Sequence, residues 1–361
     1  MSTRPFIRTL LDFQRAFPDE SACLRYLEAV RWPKGFVCPL CGAAGDPFIF
    51  GNRPRVRRCR SCQADISLTA GTIMHRTKMP LQVWFWAAYL MTSQTPGMSA
   101  LQFRRQLGVS WYQPAFMMFH KLRAAMVNPN RGRIGKGKNR ETGEDEFYTV
   151  EMDESYVGGR TRGKGRGVTE KVVVVGAIEV RYGKKEDPVS GEVKERRYAG
   201  RLRLRHVPDR GAKSLIGFAK DVVEPGTIIT TDDWGSYDGL NKNGFTHAPT
   251  MKNMGLDVEE YLKPKTAREK AKERGEKLPL IHLIFSNLKA WILGTHHGVS
   301  PKHLQAYLNE FVFRFNRRFY PMSAFHSLLN IAVEVQAPEY QELYAGLWEH
   351  PNPAEWNGDE T

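Results

Sequence analysis

The chain has 361 residues, 41% of them apolar and 25% charged, a balance that excludes wholesale disorder and allows two or three packed domains. Lysine and arginine number 53 against 39 aspartates and glutamates, a formal charge of +14. An excess of that size opposes compaction by self-repulsion, and its commonest use is to meet a polyanion, nucleic acid above all.

The longest apolar-rich run, Leu81 to Met91, is too short to span a bilayer, so no membrane partner is expected. The first residues lack the apolar core and cleavage site of a secretory leader. A cytoplasmic protein is therefore expected, in which the five cysteines are metal ligands or free thiols rather than disulfides.

In chain order, Leu10, Leu11, Phe13, Phe17, Leu24, Leu27 and Val30, broken by Pro18, predict two short amphipathic helices, the second starting after Asp19. Cys23 falls inside the second, with no cysteine at ligand spacing, and reads as a small buried apolar residue. Cys38-Pro-Leu-Cys41-Gly is followed, after 17 intervening residues, by Cys59-Arg-Ser-Cys62. Each Cys-x-x-Cys turns two thiolates toward one ion, and two such knuckles complete a closed, tetrahedral, structural Zn²⁺ site. Arg53, Arg55, Arg57, Arg58 and Arg60 crowd the second knuckle, as a ribbon lying against phosphates would have them.

Leu81–Met91 reads as a helix broken by Pro96-Gly97. Ser99 caps a second over Ala100–Leu107, Gly108-Val109-Ser110 turns, and Trp111–Met126 makes a third. Helix, short glycine turn and helix outline a helix-turn-helix, although plain α-hairpins share the outline. Arg104, Arg105, Lys121 and Arg123 suit a DNA face and equally a solvated one. Arg131–Arg140, glycine- and base-rich, reads as a linker.

The second half changes character. Phe147–Val157, Lys171–Val180 and Tyr198–Val207 predict strands, the first two flanking a basic glycine-rich hairpin over Gly158–Gly167. Ala212–Val223 predicts a helix, Thr227–Thr231 a buried strand ending in Asp232-Asp233, and Phe245–Ala248 a fifth strand after a short helix. Lys263–Lys277 is a charge run, and helices follow over Ile281–Leu293 and Pro301–Phe315. The fold class is α/β with a mixed sheet.

Asp153 stands among apolar neighbours on the first of these strands, where a carboxylate is costly unless a partner or metal compensates it. Asp232 ends the fourth strand, where ligands gather in α/β sheets. Brought together they would repel, and divalent cations relieve that, which makes them a plausible two-metal phosphoryl-transfer pair. On Ile281–Leu293 the apolar stripe Ile281, Ile284, Leu288 and Trp291 leaves His282, Ser286 and Lys289 together, roughly 145° away. Periodicity alone does not decide whether these are site residues or surface ones.

The stretch GTHHGVSPKHLQAYLNEFVFRFNRR, with CPLCG, CRSC, MDESYVGG and TDDWGSY before it in the same order, closely resembles the ISXO-like class of bacterial insertion-sequence transposases. The resemblance covers nearly the whole chain and implies N-terminal helices, a zinc ribbon and an RNase H-like catalytic domain. It places the first catalytic aspartate on Asp153 and the second on Asp232, with Asp233 as runner-up. The third position, seven residues before Lys289, holds His282 where the class usually has glutamate or, in some branches, asparagine. An imidazole ligates Mn²⁺ or Mg²⁺ but carries no negative charge, so metal affinity should drop there. Asn287 is near in sequence but lies away from the His282 and Lys289 edge, and Glu310, another conceivable carboxylate, matches a position of the class that is not one of the triad.

The implied organisation is helices over 1–35, a zinc ribbon over 36–72, a helix-turn-helix-like region over 73–130, a basic linker over 131–146, an RNase H-like domain over 147–335 and a tail over 336–361. The implied activity is strand cleavage and transfer at terminal inverted repeats. Two Mg²⁺ or Mn²⁺ ions would be held by Asp153, Asp232 and His282, with Lys289 on a DNA phosphate and Zn²⁺ on Cys38, Cys41, Cys59 and Cys62. The partners would be double-stranded DNA, as inverted repeats and as target, and further copies of the chain in a synaptic complex at the nucleoid. The rivals are a non-catalytic DNA-binding regulator of transposase descent and an RNase H-like nuclease without strand transfer.

Overall fold

The computed structural model describes residues 5–128, 131–138, 143–160, 169–186, 192–232, 234–250, 278–336 and 338–345. It divides into two units, Met1–Asn128 with Arg317–His350, and Pro129–Asn316 with Pro351–Thr361. The parts of the expected hairpin beyond Arg160, the charge run Lys263–Lys277 and Asp233 lie outside the described residues.

The first unit opens with α1 (Leu10–Ala16) and α2 (Glu20–Arg31). Thr9 and Asp12 form a reciprocal capping box, and Asp19 accepts the Ala22 N–H at 2.8 Å, which is why the chain re-enters helix immediately after Pro18. Cys23 is wholly buried in α2. Strands β1 (Phe48–Ile49), β2 (Val56–Arg58) and β3 (Asp65–Ser67) form a small antiparallel sheet in that order. Helices α3 (Leu81–Ser93), α4 (Ala100–Gln106) and α5 (Tyr112–Ala124) follow. Ser99 Oγ accepts the Gln102 N–H at 3.2 Å, and Gly108, at φ +63°, makes the turn.

In the second unit β4 (Lys136–Lys138) pairs with β5 (Asp145–Phe147). Then come β6 (Thr149–Arg160), β7 (Thr169–Glu186), β8 (Val193–Val207), α6 (Ala212–Val222), β9 (Ile228–Thr231), a 3₁₀ helix (Gly235–Asn243) and β10 (Thr246–Pro249). Helices α7 (Pro279–His296) and α8 (Pro301–Asn316) complete it. The sheet runs β10-β9-β6-β7-β8, antiparallel through β6, β7 and β8, with β9 parallel to β6 and β10 parallel to β9. Three consecutive antiparallel strands flanked by two parallel ones is the RNase H-like arrangement.

Strand alternation sends Val150 and Met152 to one face, where Leu215, Phe218, Val222, Tyr237 and Leu240 cover them. Val157, Val174, Ile178 and Leu204 meet Ile281, Ile284, Phe285, Leu288 and Leu308 on the other. The sheet is thus buried on both sides.

Two boundaries differ from the expected ones. Residues 131–138 are not a solvated linker: Ile134 is fully buried, its N–H donates to Val222 O at 2.8 Å and its carbonyl accepts from Glu224 N at 2.8 Å. One apolar residue anchors a stretch whose charge and glycine suggested none. The chain also leaves the second unit at residue 317, and α9 (Pro321–Glu334) packs on α2 and α3, with α10 (Tyr340–Ala345) after it. Phe325 sits among Phe13, Phe17, Tyr26, Phe85 and Tyr89, all with ring centroids within 6.3 Å of it. No helix among the described residues is long and apolar enough to cross a membrane.

Candidate active site and metal centre

The four knuckle cysteines converge. Cys38 Sγ lies 3.7 Å from Cys62 Sγ and Cys41 Sγ lies 3.7 Å from Cys59 Sγ, with all four sulfurs within 4.8 Å of one another. A tetrahedron of thiolates about 2.3 Å from Zn²⁺ has edges of about 3.8 Å, so the sulfurs stand at the spacing that ion requires. Each knuckle closes the same way: Gly42 N–H donates to Cys38 O at 2.9 Å and Gln63 N–H to Cys59 O at 3.0 Å. Gly42 (φ +72°) and Gln63 (φ +60°) take the left-handed conformation one residue past the second cysteine. Only the first knuckle uses the residue suited to it.

The arginines around the second knuckle are largely committed within the fold. Arg57 is buried and forks onto Glu28 of α2 through Nε and Nη2, each at 2.6 Å. Arg55 pairs with Glu20, and Arg53 and Arg58 share Asp65. In the helix-turn-helix-like segment Arg104 donates to Val109 O and Ser110 O, and Arg123 is buried against the Phe119 ring. Neither Arg57 nor Arg123 can serve the phosphate-facing role their charge suggested. Arg105 stays exposed and Lys121 half-buried.

In the second unit β6 and β9 pair in parallel with Glu151 opposite Thr230. Two residues further along that register Asp153 meets Asp232, just past the end of β9. Asp232 Oδ1 is buried and accepts no hydrogen bond. Burial first, then the charges of Asp153 and Glu154, push the Asp232 carboxyl above its ordinary range. A half-buried carboxylate with an orphaned oxygen beside a second carboxylate is a donor set that fits a hard divalent cation.

Helix α7 meets the opposite edge of Asp153 through successive outward residues of β6. Glu151 Oε2 accepts the Leu280 and Ile281 N–H groups at 2.9 and 3.0 Å, seating the helix N-terminus on a buried carboxylate. His282 Nε2 lies 3.1 Å from Asp153 Oδ2, and Lys289 Nζ donates to Ser155 Oγ at 2.7 Å. The helix lies flush because β7 carries Gly176 directly opposite Asp153. A Cβ there would stand 2.8 Å from Ile281 Cδ1 and 3.1 Å from Phe285 Cζ.

His282 therefore reaches Asp153 from the helix above, while Asp232 neighbours it from the adjoining strand. The three do not close around one point as the cysteines do: among the described residues only the cysteines bring three or more ligand atoms within 4.8 Å of one another. Asn287 is exposed, and Glu310 is buried on α8 with Arg314 3.7 Å away.

Four residues around the pair escape sequence reading. Glu151 looks like one more acid in VEMDES, although its place two residues before Asp153 puts it on the same strand face. Glu154, on the other face, is buried, with Arg210 Nε donating to its Oε1 at 2.7 Å and Tyr237 Oη donating to its Oε2. Arg210 and Tyr237 carry no local signal that they share a partner.

Compared with known proteins, residues 145–316 match the family model for the ISXO2-like transposase domain, and residues 18–65 match the transposase zinc-ribbon domain. No curated protein and no solved structure matches the chain.

Proposed function

The chain belongs to the ISXO2-like zinc-ribbon transposases, and from that premise we propose that it cleaves DNA at the terminal inverted repeats of an insertion sequence and joins the freed ends to target DNA. The observation that carries the reading is the Asp153 and Asp232 pair on adjacent parallel strands, with an orphaned carboxylate oxygen between burial and like charge.

Asp153, Asp232 and His282 would hold Mg²⁺ or Mn²⁺, with Asp153 shared, since it alone neighbours both of the others. Bound there, two such ions supply activation of the attacking oxygen and stabilisation of the leaving one. The protein's own part is positioning. Glu151 fixes the start of α7, which sets where the His282 imidazole stands. Lys289, held to Ser155, offers an ammonium along the same edge for a DNA phosphate. Cys38, Cys41, Cys59 and Cys62 would take a structural Zn²⁺. The basic first unit would bind the inverted repeats, and two ends would require further copies of the chain at the nucleoid.

The test is to incubate the purified protein with labelled inverted-repeat DNA and Mn²⁺. Joined products are expected, and Asp153→Ala should abolish them while leaving DNA binding intact. Unchanged joining by that variant would refute the assignment. Nicks without joining would favour a nuclease, and retention without cleavage a DNA-binding regulator.

A further inference from the structure

Close in sequence to the carboxylate pair, and gathered around Arg210, stands an aromatic surface that the chemistry above leaves unused. Trp234, two residues past Asp232, keeps 46% of its surface exposed, and Tyr156, three past Asp153, keeps 49%. The Arg210 guanidinium carbon lies 4.9 Å from the Trp234 ring centroid and 5.9 Å from that of Tyr156.

Arg210 is not a loose surface charge. Its Nε donates to Oε1 of buried Glu154, whose other oxygen accepts from the fully buried Tyr237. The order of constraint runs outward. The core fixes Glu154, Glu154 fixes Arg210, and the guanidinium backs the indole from one side. The result is a braced, cation-backed ring two residues past Asp232, whose carboxylate feels the Arg210 charge, in a chain carrying a formal charge of +14. A braced aromatic face beside positive charge is the chemistry that stacks nucleobases without regard to sequence. Bases in an intact duplex have both faces covered by their neighbours, so such a ring selects a strand that has been opened.

We propose that Trp234, braced by Arg210, stacks an unpaired nucleobase of the DNA strand whose phosphate enters the Asp153–Asp232 pair. This rests on the DNA-cleavage reading for its setting, and it adds the binding of a locally unpaired strand. Glu154 and Arg210 are positioning residues in it, because they act through the indole.

The test uses the full-length protein with Ca²⁺ and a short single-stranded oligonucleotide carrying 2-aminopurine, alongside the same sequence as a blunt duplex. The expected result is strong quenching of the single strand and little of the duplex. Trp234→Ala should remove the quenching and weaken single-strand binding about tenfold, and Trp234→Phe should restore most of both. Equal quenching by wild type and Trp234→Ala, or equal quenching of strand and duplex, would overturn the proposal. Binding here needs no cleavage, so the two readings fail separately. Quenching that depends on Trp234 without strand joining refutes transposition alone, whereas joining with quenching indifferent to Trp234 refutes stacking alone.

Discussion

His282 Nε2 stands 3.1 Å from Asp153 Oδ2, so the imidazole can hold a proton against that carboxylate or offer its lone pair to a cation, but not both at once. His282→Glu supplies a third negative charge and should lower the Mn²⁺ or Mg²⁺ concentration that half-saturates cleavage, while His282→Ala should raise it on the order of tenfold. Cleavage rates across a metal titration check this. A half-saturation point that does not move in the alanine variant removes His282 from the ligand set.

Glu151 acts on the same histidine at one remove. Glu151→Ala leaves the Leu280 and Ile281 N–H groups without their acceptor, at a cost of about 1–3 kcal/mol. The single-turnover cleavage rate is expected to fall with DNA affinity unchanged, and Glu151→Gln, which keeps an acceptor oxygen, should recover most of the rate. A purely stabilising role would lower the melting temperature in the alanine variant and leave the rate of the remaining folded protein intact.

Acid sensitivity should be dominated by a different carboxylate. Glu179, wholly buried on β7, accepts the N–H groups of Gly135 and Arg201 at 3.0 and 2.9 Å and the guanidinium groups of Arg181 and Arg201. Burial pushes its carboxyl up, but the hydrogen bonds and charge of Arg201 outweigh that and hold it below its ordinary 4.5. With the folded value depressed, the stability it contributes is complete above pH 4.5 and is withdrawn as pH falls through the lowered value. Glu179→Gln should lose about 3–5 kcal/mol at neutral pH and flatten the acid limb of a stability curve measured by urea unfolding.

The cysteine cluster makes its own demands. Chelation should release one zinc per chain and unfold the ribbon, and Cys59→Ser should do the same without chelator, both visible as lost amide dispersion. Gln63→Gly, at φ +60°, should stabilise the second knuckle by about 1 kcal/mol, because glycine takes that conformation without a Cβ penalty. Stronger zinc retention against a competing chelator would register it.

Periodicity made most elements legible. β-Branched and aromatic content marked β6 and β7, alternation marked β8, Asp19 and Ser99 marked helix starts, and cysteine spacing marked the ribbon. Asp232 stood out because it ends a strand and Asp153 because a carboxylate among apolar strand neighbours is costly, although neither signal gave the register that aligns them. What stayed hidden depends on partners distant in sequence. Arg57 and Arg123 count as charge yet are buried, Ile134 is one apolar residue in a basic stretch, and Glu151 is an ordinary acid until α7 lands on it. Likewise α9 shows an apolar face in its sequence but not which core that face completes.

That last feature reaches into synthesis. Phe325 sets its ring edge-on or tilted against those of Phe13, Phe17 and Phe85, and Ile73 donates its N–H to Ala332 O at 3.1 Å. A ribosome that has translated the first 128 residues has therefore not yet made the helix that completes this aromatic core. The missing helix emerges only after the whole nuclease-like sheet. Prematurely terminated products would leave the rings of Phe13, Phe17 and Phe85 without the helix that covers them.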